Sequence, residues 1–369
     1  MKRIRRLVHG SGDVSRVRDD SSQARDGPAN CPVGHPVGHP VGHSVVKKPI
    51  ASSASLASSR LANSEAEPRN RCPDFQDVRD VPFVSTVLGK GVLAFPSEAA
   101  LAAFRQNKRR LDAVDDAGAL GFPFLHATTP SVFKSIVSRS SPIMTIHRYA
   151  AVDVGSDMAQ HYREDDRCVQ VAACGDLRVF RLDFCEVFQH IDTGSGHVLY
   201  RFVFRIDNRV DNNCFTLRLA SHVHRRDCDT SIGGLNLRWH GTSGLSSVFG
   251  TGEFSLRVLD DNMPSFVDFA SDNEYSIACQ KATSLRPVSQ LPTWGTYSDK
   301  RGSILPKNRI TRHANFQVKE LVPCGEGLRD IPWDTLVLTS MCLVLHGVEC
   351  SKDKGYSYQL GGQGLAMVI

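Results

Sequence analysis

Residues 331–350 read IPWDTLVLTSMCLVLHGVEC, and the fold turns on this stretch. Asp334 stands where a helix N-cap would, two residues after Pro332, and Gly347 reads as a stop signal. Between them, Thr335 to Val348 is apolar almost all round. Such a run can form a strand pair or a helix; its length, about 14 residues, favours a helix over Asp334 to Glu349. Leu336, Val337, Leu338, Met341, Leu343, Val344 and Leu345 spread around the helical circumference, so no orientation leaves a broad polar face. A helix of that kind must be covered on every side.

The residues before it are of strand type. CVQVAACGDLRVFRLDF, from Cys168, alternates around a turn at Gly175–Asp176. In HVLYRFVFRID, Val198, Tyr200, Phe202 and Phe204 share one face, and Leu199, Arg201, Val203 and Arg205 the other. CFTLRLASHVH, NLRWH, EFSLRVLD and SFVDFAS continue the series, and a strand resumes over Arg309 to Val322. Turn signals at Thr193–Gly194, Asp211–Asn213, Gly233–Gly234, Gly250–Gly252 and Asp260–Asn262 separate them. Residues 272–304 read as irregular. In a chain so rich in short strands, the simplest cover for the apolar helix is a barrel threaded by it. The expected class is mainly β (α+β): a closed antiparallel barrel around a buried C-terminal helix, with one or two small N-terminal helices.

The strand series from Cys168 to Val322, followed by Asp334 to Glu349, resembles the tubby-like barrel family, which includes the phospholipid-scramblase-like proteins. The resemblance covers about half the chain. It implies a closed barrel around a hydrophobic helix. It also implies binding of phosphoinositide head groups through a Lys/Arg cluster on the barrel, for which this sequence shows no recognisable counterpart.

Toward the N-terminus, SEAALAAFRQNKRRLDAV (Ser97 to Val114) reads as a helix capped by Ser97, and Thr129 to Val137 as a second, short one. Ordered structure is expected to begin near Asp80 to Val87. Residues 1–75 have no hydrophobic periodicity and are read as a disordered basic tail. Residues 76–369 form one globular domain, with a helical or irregular lead-in over 80–150 and the barrel over 168–350, its core helix at 334–349.

The formal net charge is +5, unevenly placed. Residues 1–73 hold twelve basic and six acidic residues, a net +6, which leaves −1 for the remainder. A near-neutral globular part argues against a nucleic-acid-binding domain. The tail's charge suits an anionic membrane surface or an acidic protein. Eleven cysteines with no C-x-x-C pair read as thiols of a reducing compartment, cytoplasmic or nuclear. No stretch approaches the roughly 20 apolar residues of a membrane span, and MKRIRRLVHGSGDV has no apolar signal core. Acids at Asp13, Asp19, Asp20 and Asp26 argue against a mitochondrial leader.

No motif reads as a catalytic, cofactor or metal site, and no cofactor is expected. In HVHRRDCD, His222 and His224 would face one side of a strand, but further zinc ligands are lacking, and Asp227–Cys228–Asp229 reads as the following turn. PVGHPVGHPVGH presents His35, His39 and His43 in a proline-interrupted repeat, not on a helical face. Gly250-x-Gly252, and Gly361, Gly362 and Gly364, lack the strand-then-helix setting of a dinucleotide loop. No G-x-S-x-G occurs. Glu164, Asp165 and Asp166 read as a solvated loop. Arg201, Arg205, Arg218 and Arg225 lie near Tyr200, Phe202, Phe204 and Phe215; those of the 197–207 strand take opposite faces, the pattern of a sheet with a core side and a solvent side. The reading is a non-catalytic binding or scaffold protein acting through its basic tail or barrel surface. The alternative is an enzyme whose dispersed site cannot be seen in sequence.

Overall fold

The computed structural model describes residues 70–106, 121–129, 141–192, 197–205, 214–222, 225–242, 250–283, 285–303, 306–323, 325–329 and 331–359. The chain divides into two units, Met1–Ser52 and Ser53–Ile369, and every described residue lies in the second.

The fold is a closed twelve-stranded antiparallel β-barrel around the C-terminal helix. Its strands are β1 (Asp77–Thr86), β2 (Val92–Ala94), β3 (Leu125–Thr128), β4 (Met144–Asp153), β5 (Cys168–Cys174), β6 (Leu177–Asp192), β7 (His197–Arg205), β8 (Cys214–His222), β9 (Asp227–Ile232), β10 (Leu235–His240), β11 (Glu253–Val258), β12 (Thr293–Ser298) and β13 (Ile310–Glu320). The sheet runs β4-β3-β2-β1-β13-β12-β11-β10-β9-β8-β7-β6, and β4 pairs with β6 to close it. β5 lies outside the ring, on the first half of the long β6. Helices are α1 (Glu98–Gln106), α2 (Asp157–Glu164), α3 (Asp272–Lys281) and α4 (Trp333–Gln359).

The alternation seen in the sequence is the inside–outside alternation of the wall. Val198, Tyr200, Phe202 and Phe204 of β7 are buried, and Arg201 faces solvent. Val81 and Phe83 of β1, Trp239 of β10 and Phe316 of β13 complete an apolar lining. Eight-stranded barrels are filled by side chains alone; twelve strands leave a lumen that needs a helix. α4 fills it: Leu336, Val337, Leu338, Met341, Cys342, Leu343, Val344 and Leu345 are all at most 3% exposed and belong to one continuous core with the wall.

Several expectations need correction. The helix does not end at Gly347 but runs on to Gln359. Gly347 serves packing instead: a Cβ there would come within 3.3 Å of the Met144 methyl carbon on β4. Asp334 lies inside the helix, whose first bond runs from the Leu336 amide to the Pro332 carbonyl. The stretch 80–150 is not a helical lead-in; it supplies β1 to β4, a third of the ring. Order starts by Asn70, whose amide bonds Asp260 at 2.9 Å, and Phe75 packs on Trp294 at 5.2 Å. Residues 272–304 contain α3 and β12. Of the acid triplet read as a solvated loop, Asp165 and Asp166 do lie in the connection from α2 to β5, Asp165 holding Arg167 at 3.1 Å, while the exposed Glu164 is the last residue of α2. Ser97 does cap α1, accepting from the Ala100 amide at 3.0 Å, and that helix ends at Gln106. The expected second helix lies outside the described residues except for Thr129, as does the tail up to residue 69.

Candidate functional site

The lumen is filled by α4, so among the described residues the open surface lies at the barrel's mouths and on its wall. At the lower mouth, where α4 enters, Arg79 and Glu320 form a buried ion pair at 2.7 Å. The Thr335 hydroxyl of α4 donates to the same carboxylate at 2.7 Å, and Arg79 also donates to the carbonyls of Pro96 and Gly325. These bonds replace the water the two charges lost and fix the helix's first turn to the wall. A surface hollow of about 340 Å³ beside them is lined by Asp77, Asp80, Glu98 and Glu326. Its acids are partly engaged: Asp80 accepts from Asn315 and Gln317, and Glu98 pairs with Arg312.

On the outer wall, Arg238 of β10 donates twice to Asp229 of β9, at 2.8 and 2.7 Å, and once to the Tyr275 hydroxyl at 3.0 Å. The Phe266 amide donates to the same carboxylate. Arg225 lies over the Tyr275 ring, 4.7 Å from its centroid, and pairs with Asp272. Every strong group in this cluster has a partner, and its effect is to fasten α3 to the barrel. Asp227, Cys228 and Asp229 are therefore strand residues, not a turn: Asp227 bonds the ring of His240 at 2.8 Å, and Cys228 points inward, its thiol raised to about 11 by burial. His222 closes β8, and His224 lies outside the described residues, as do His35, His39, His43, Gly361, Gly362 and Gly364. Gly250 and Gly252 sit in the turn leading into β11. Among the described residues no group of three or more His, Cys, Asp or Glu is placed to hold a metal.

The upper mouth, where α4 leaves, carries two features. The first is polar, with His346 and Tyr297 buried and Cys350 and His313 half-buried at its edge. His346, one turn from Cys350 on α4, bonds the Tyr297 hydroxyl at 2.7 Å through Nδ1. The Cys350 sulfur lies 3.6 Å from both ring nitrogens. His313 reaches the same place because of a β-bulge: the pairs Phe83↔Ala314 and Val84↔Arg312 leave it as the extra residue of β13. Its ring lies 5.5 Å from that of His346 and bonds the Ser85 hydroxyl at 2.8 Å. Burial raises the Tyr297 phenol far above its ordinary value, so it stays protonated.

The second feature is the rim. The β1–β2 turn puts Val87 and Leu88 into solvent, Leu88 at 88% exposure. Gly91 holds this turn against β3: its φ is +84°, and a Cβ would lie 2.0 Å from the Ala127 carbonyl oxygen. The β12–β13 connection lies alongside, the Val87 amide bonding the Arg309 carbonyl at 3.0 Å. Together the two turns expose Lys90, Lys300, Arg301, Lys307 and Arg309 against one carboxylate, Asp299; Glu253 of β11 pairs with Lys300 at 2.7 Å. Asn308 and Arg309 both have positive φ, 54° and 62°. A side chain with a Cβ pays about 1–2 kcal/mol in that region.

Sequence reading found neither feature. Each is assembled from segments far apart in the chain, and only the spacing His346-x-x-x-Cys350 is local. The arginines read as solvent-facing are so: Arg201 lies over Phe188, 4.8 Å from its ring centroid.

No solved structure matches the chain significantly. The uncharacterized protein YNL165W of Saccharomyces cerevisiae is 32% identical over 306 residues, covering 78% of this chain and 73% of the relative. The uncharacterized protein YOR385W of the same yeast is 23% identical over 201 residues, 54% of this chain and 63% of its own length. The profile of the DIA1 family spans residues 76–354, from the first strand of the barrel to just past Cys350 on the core helix, and the chain belongs to that family.

Proposed function

We propose that the protein is a non-catalytic binding protein that docks on an anionic lipid surface through the upper mouth of its barrel. The observation that carries this reading is the pair Val87–Leu88, held out in solvent among five exposed cations. A lone exposed leucine needs no explanation, but one on a rigid tip ringed by positive charge matches the two layers of a membrane interface. Burying Leu88 in the acyl boundary contributes about 1.5–3 kcal/mol, and each basic residue near the surface about 1 kcal/mol. Arg309 supports the reading, since it occupies a backbone conformation that glycine would adopt without strain. A filled lumen suits a rigid platform better than an enzyme cleft. The likeness to tubby-like barrels belongs to the same proposal, resting on the closed ring and its buried helix. So does a cytoplasmic or nuclear setting, since the eight cysteines whose side chains are described are all thiols. No helix among the described residues is long and apolar enough to cross a membrane.

Co-sedimentation of the full chain with vesicles tests this. Binding to phosphatidylserine-containing vesicles should exceed binding to phosphatidylcholine vesicles and weaken as salt rises. Leu88→Asp should reduce it at least tenfold. Arg309→Gly should reduce it severalfold while leaving the melting temperature unchanged or higher. Equal binding by wild type and Leu88→Asp would sink the proposal; capture of an acidic protein without vesicle binding would replace the lipid with that partner.

A further inference from the structure

We infer that two copies of the chain pair through β5, the strand left outside the ring, each adding an antiparallel strand to the other's sheet. Every other strand has a neighbour along both edges, because the ring closes through β4 and β6. β5 bonds only β6, and among the described residues nothing pairs with its outer edge. Such an edge turns every second N–H and C=O outward, a template for another strand. Edges are ordinarily blunted by lysine, by proline or by a covering element. β5 reads CVQVAAC, seven residues with no charge and no proline. Val169 is 46% exposed, and Gln170 and Ala173 are open to solvent. α2 does not cover this edge: its Tyr162 packs with Phe180 and Leu182, on the face of the sheet.

The strand is complementary to itself in one register. A bulge at Val171 breaks its alternation. Gln170 lies opposite Phe180 and Ala173 opposite Arg178, two positions apart on β6, so Gln170 and Ala173 share a face. Ala172, opposite Val179, takes the other face. Residues directly opposite in an antiparallel pair must share a face. A two-fold axis through Val171 sets Gln170 against Ala172 and fails that condition. An axis between Val171 and Ala172 sets Gln170 against Ala173 and meets it. The same register brings Arg167, its side chain 34% exposed, toward the exposed Asp176 of the other copy, once at each end. Moving the axis one position back, between Gln170 and Val171, brings Asp165 to Asp176 instead, like charge toward like charge. Charge and pleat thus select the same pairing. Two seven-residue strands make a small interface, so the association is reversible and weak. It needs no lipid, so it stands apart from docking at the upper mouth.

Sedimentation velocity on the full chain, from low to high micromolar concentration, tests this, with hydrogen exchange and peptide mass mapping to locate the contact. The mass should double as concentration rises, and the amides of residues 168–174 should gain protection as the dimer forms. Gln170→Lys combined with Ala173→Lys sets lysine against lysine at both ends of the pairing. Both positions are exposed, so this variant should keep its melting temperature while association weakens at least tenfold. Asp176→Arg should weaken it severalfold. A chain monomeric throughout this range overturns the inference, even if an added extended peptide protects β5. So does a dimer that the double lysine variant leaves intact, or one that leaves residues 168–174 unprotected. Unchanged association in Asp176→Arg overturns the register, and with it the self-complementarity that selects a second copy.

Discussion

His126 and His147 stand opposite each other on β3 and β4, their rings 6.2 Å apart. Burial, the first cause for both, holds their pKa values below the ordinary 6.5, with Arg181 adding to the effect. His126 bonds the Lys90 carbonyl and His147 bonds Asp183, which oppose the shift without cancelling it. Both imidazoles are therefore neutral in the folded chain at a pH where the unfolded chain already binds protons. As pH falls below about 6.5, the unfolded state takes up protons first, so stability declines with acidification and recovers as pH rises. The melting temperature should drop between about pH 7.5 and about pH 5.5. His126→Gln should flatten that slope relative to wild type. A slope unchanged in the variant would show that His126 is not one of the groups responsible. Nothing in the sequence revealed this pair, because cross-strand neighbours 21 positions apart leave no mark on local periodicity.

Among the elements, α4 was the most legible and β1 to β4 the least, for physical reasons. A run apolar on every side has one outcome in water, burial on every side, and Leu336 to Leu345 meets it. β7 declared itself by strict alternation, since one face lines the lumen and the other meets solvent. β1 hid because Val81 to Val84 are buried on both faces, one under α1 and one toward α4, so period two is lost. Pro82 within it is a residue that central strands rarely hold. β12 hid behind Pro292 and Gly295; a Cβ at Gly295 would lie 2.7 Å from the Phe316 ring, so the glycine makes room for the lining. The upper-mouth cluster was legible only in its His346–Cys350 spacing, because Tyr297 and the bulged His313 arrive through strand register. Leu338→Asp or Val344→Asp would place an unpaired charge against this lining, at several kcal/mol, comparable to a whole domain's stability. Either variant should be recovered as aggregate. Thr339→Val, which removes a buried hydroxyl without a hydrogen-bond partner, should keep or raise the melting temperature. A soluble, cooperatively melting Leu338→Asp chain would contradict a helix enclosed by the barrel.

The barrel has polarity. Its lower mouth is closed by the Arg79–Glu320–Thr335 bonds and bordered by carboxylates. Its upper mouth presents the cations, the Val87–Leu88 tip and the Cys350 thiol. Such a body should meet an anionic surface in one orientation. Val322, 62% exposed just past the end of β13, marks the opposite end from Leu88. In a Trp333→Phe background, tryptophans introduced singly at these two positions report which end is buried, because the two remaining native ones, Trp239 and Trp294, are enclosed in the barrel. With phosphatidylserine-containing vesicles added, Leu88→Trp emission should shift to the blue and become shielded from an aqueous quencher. Val322→Trp emission should not change. A shift at residue 322 with none at 88, or none at either while the protein sediments with the vesicles, would contradict docking through the upper mouth.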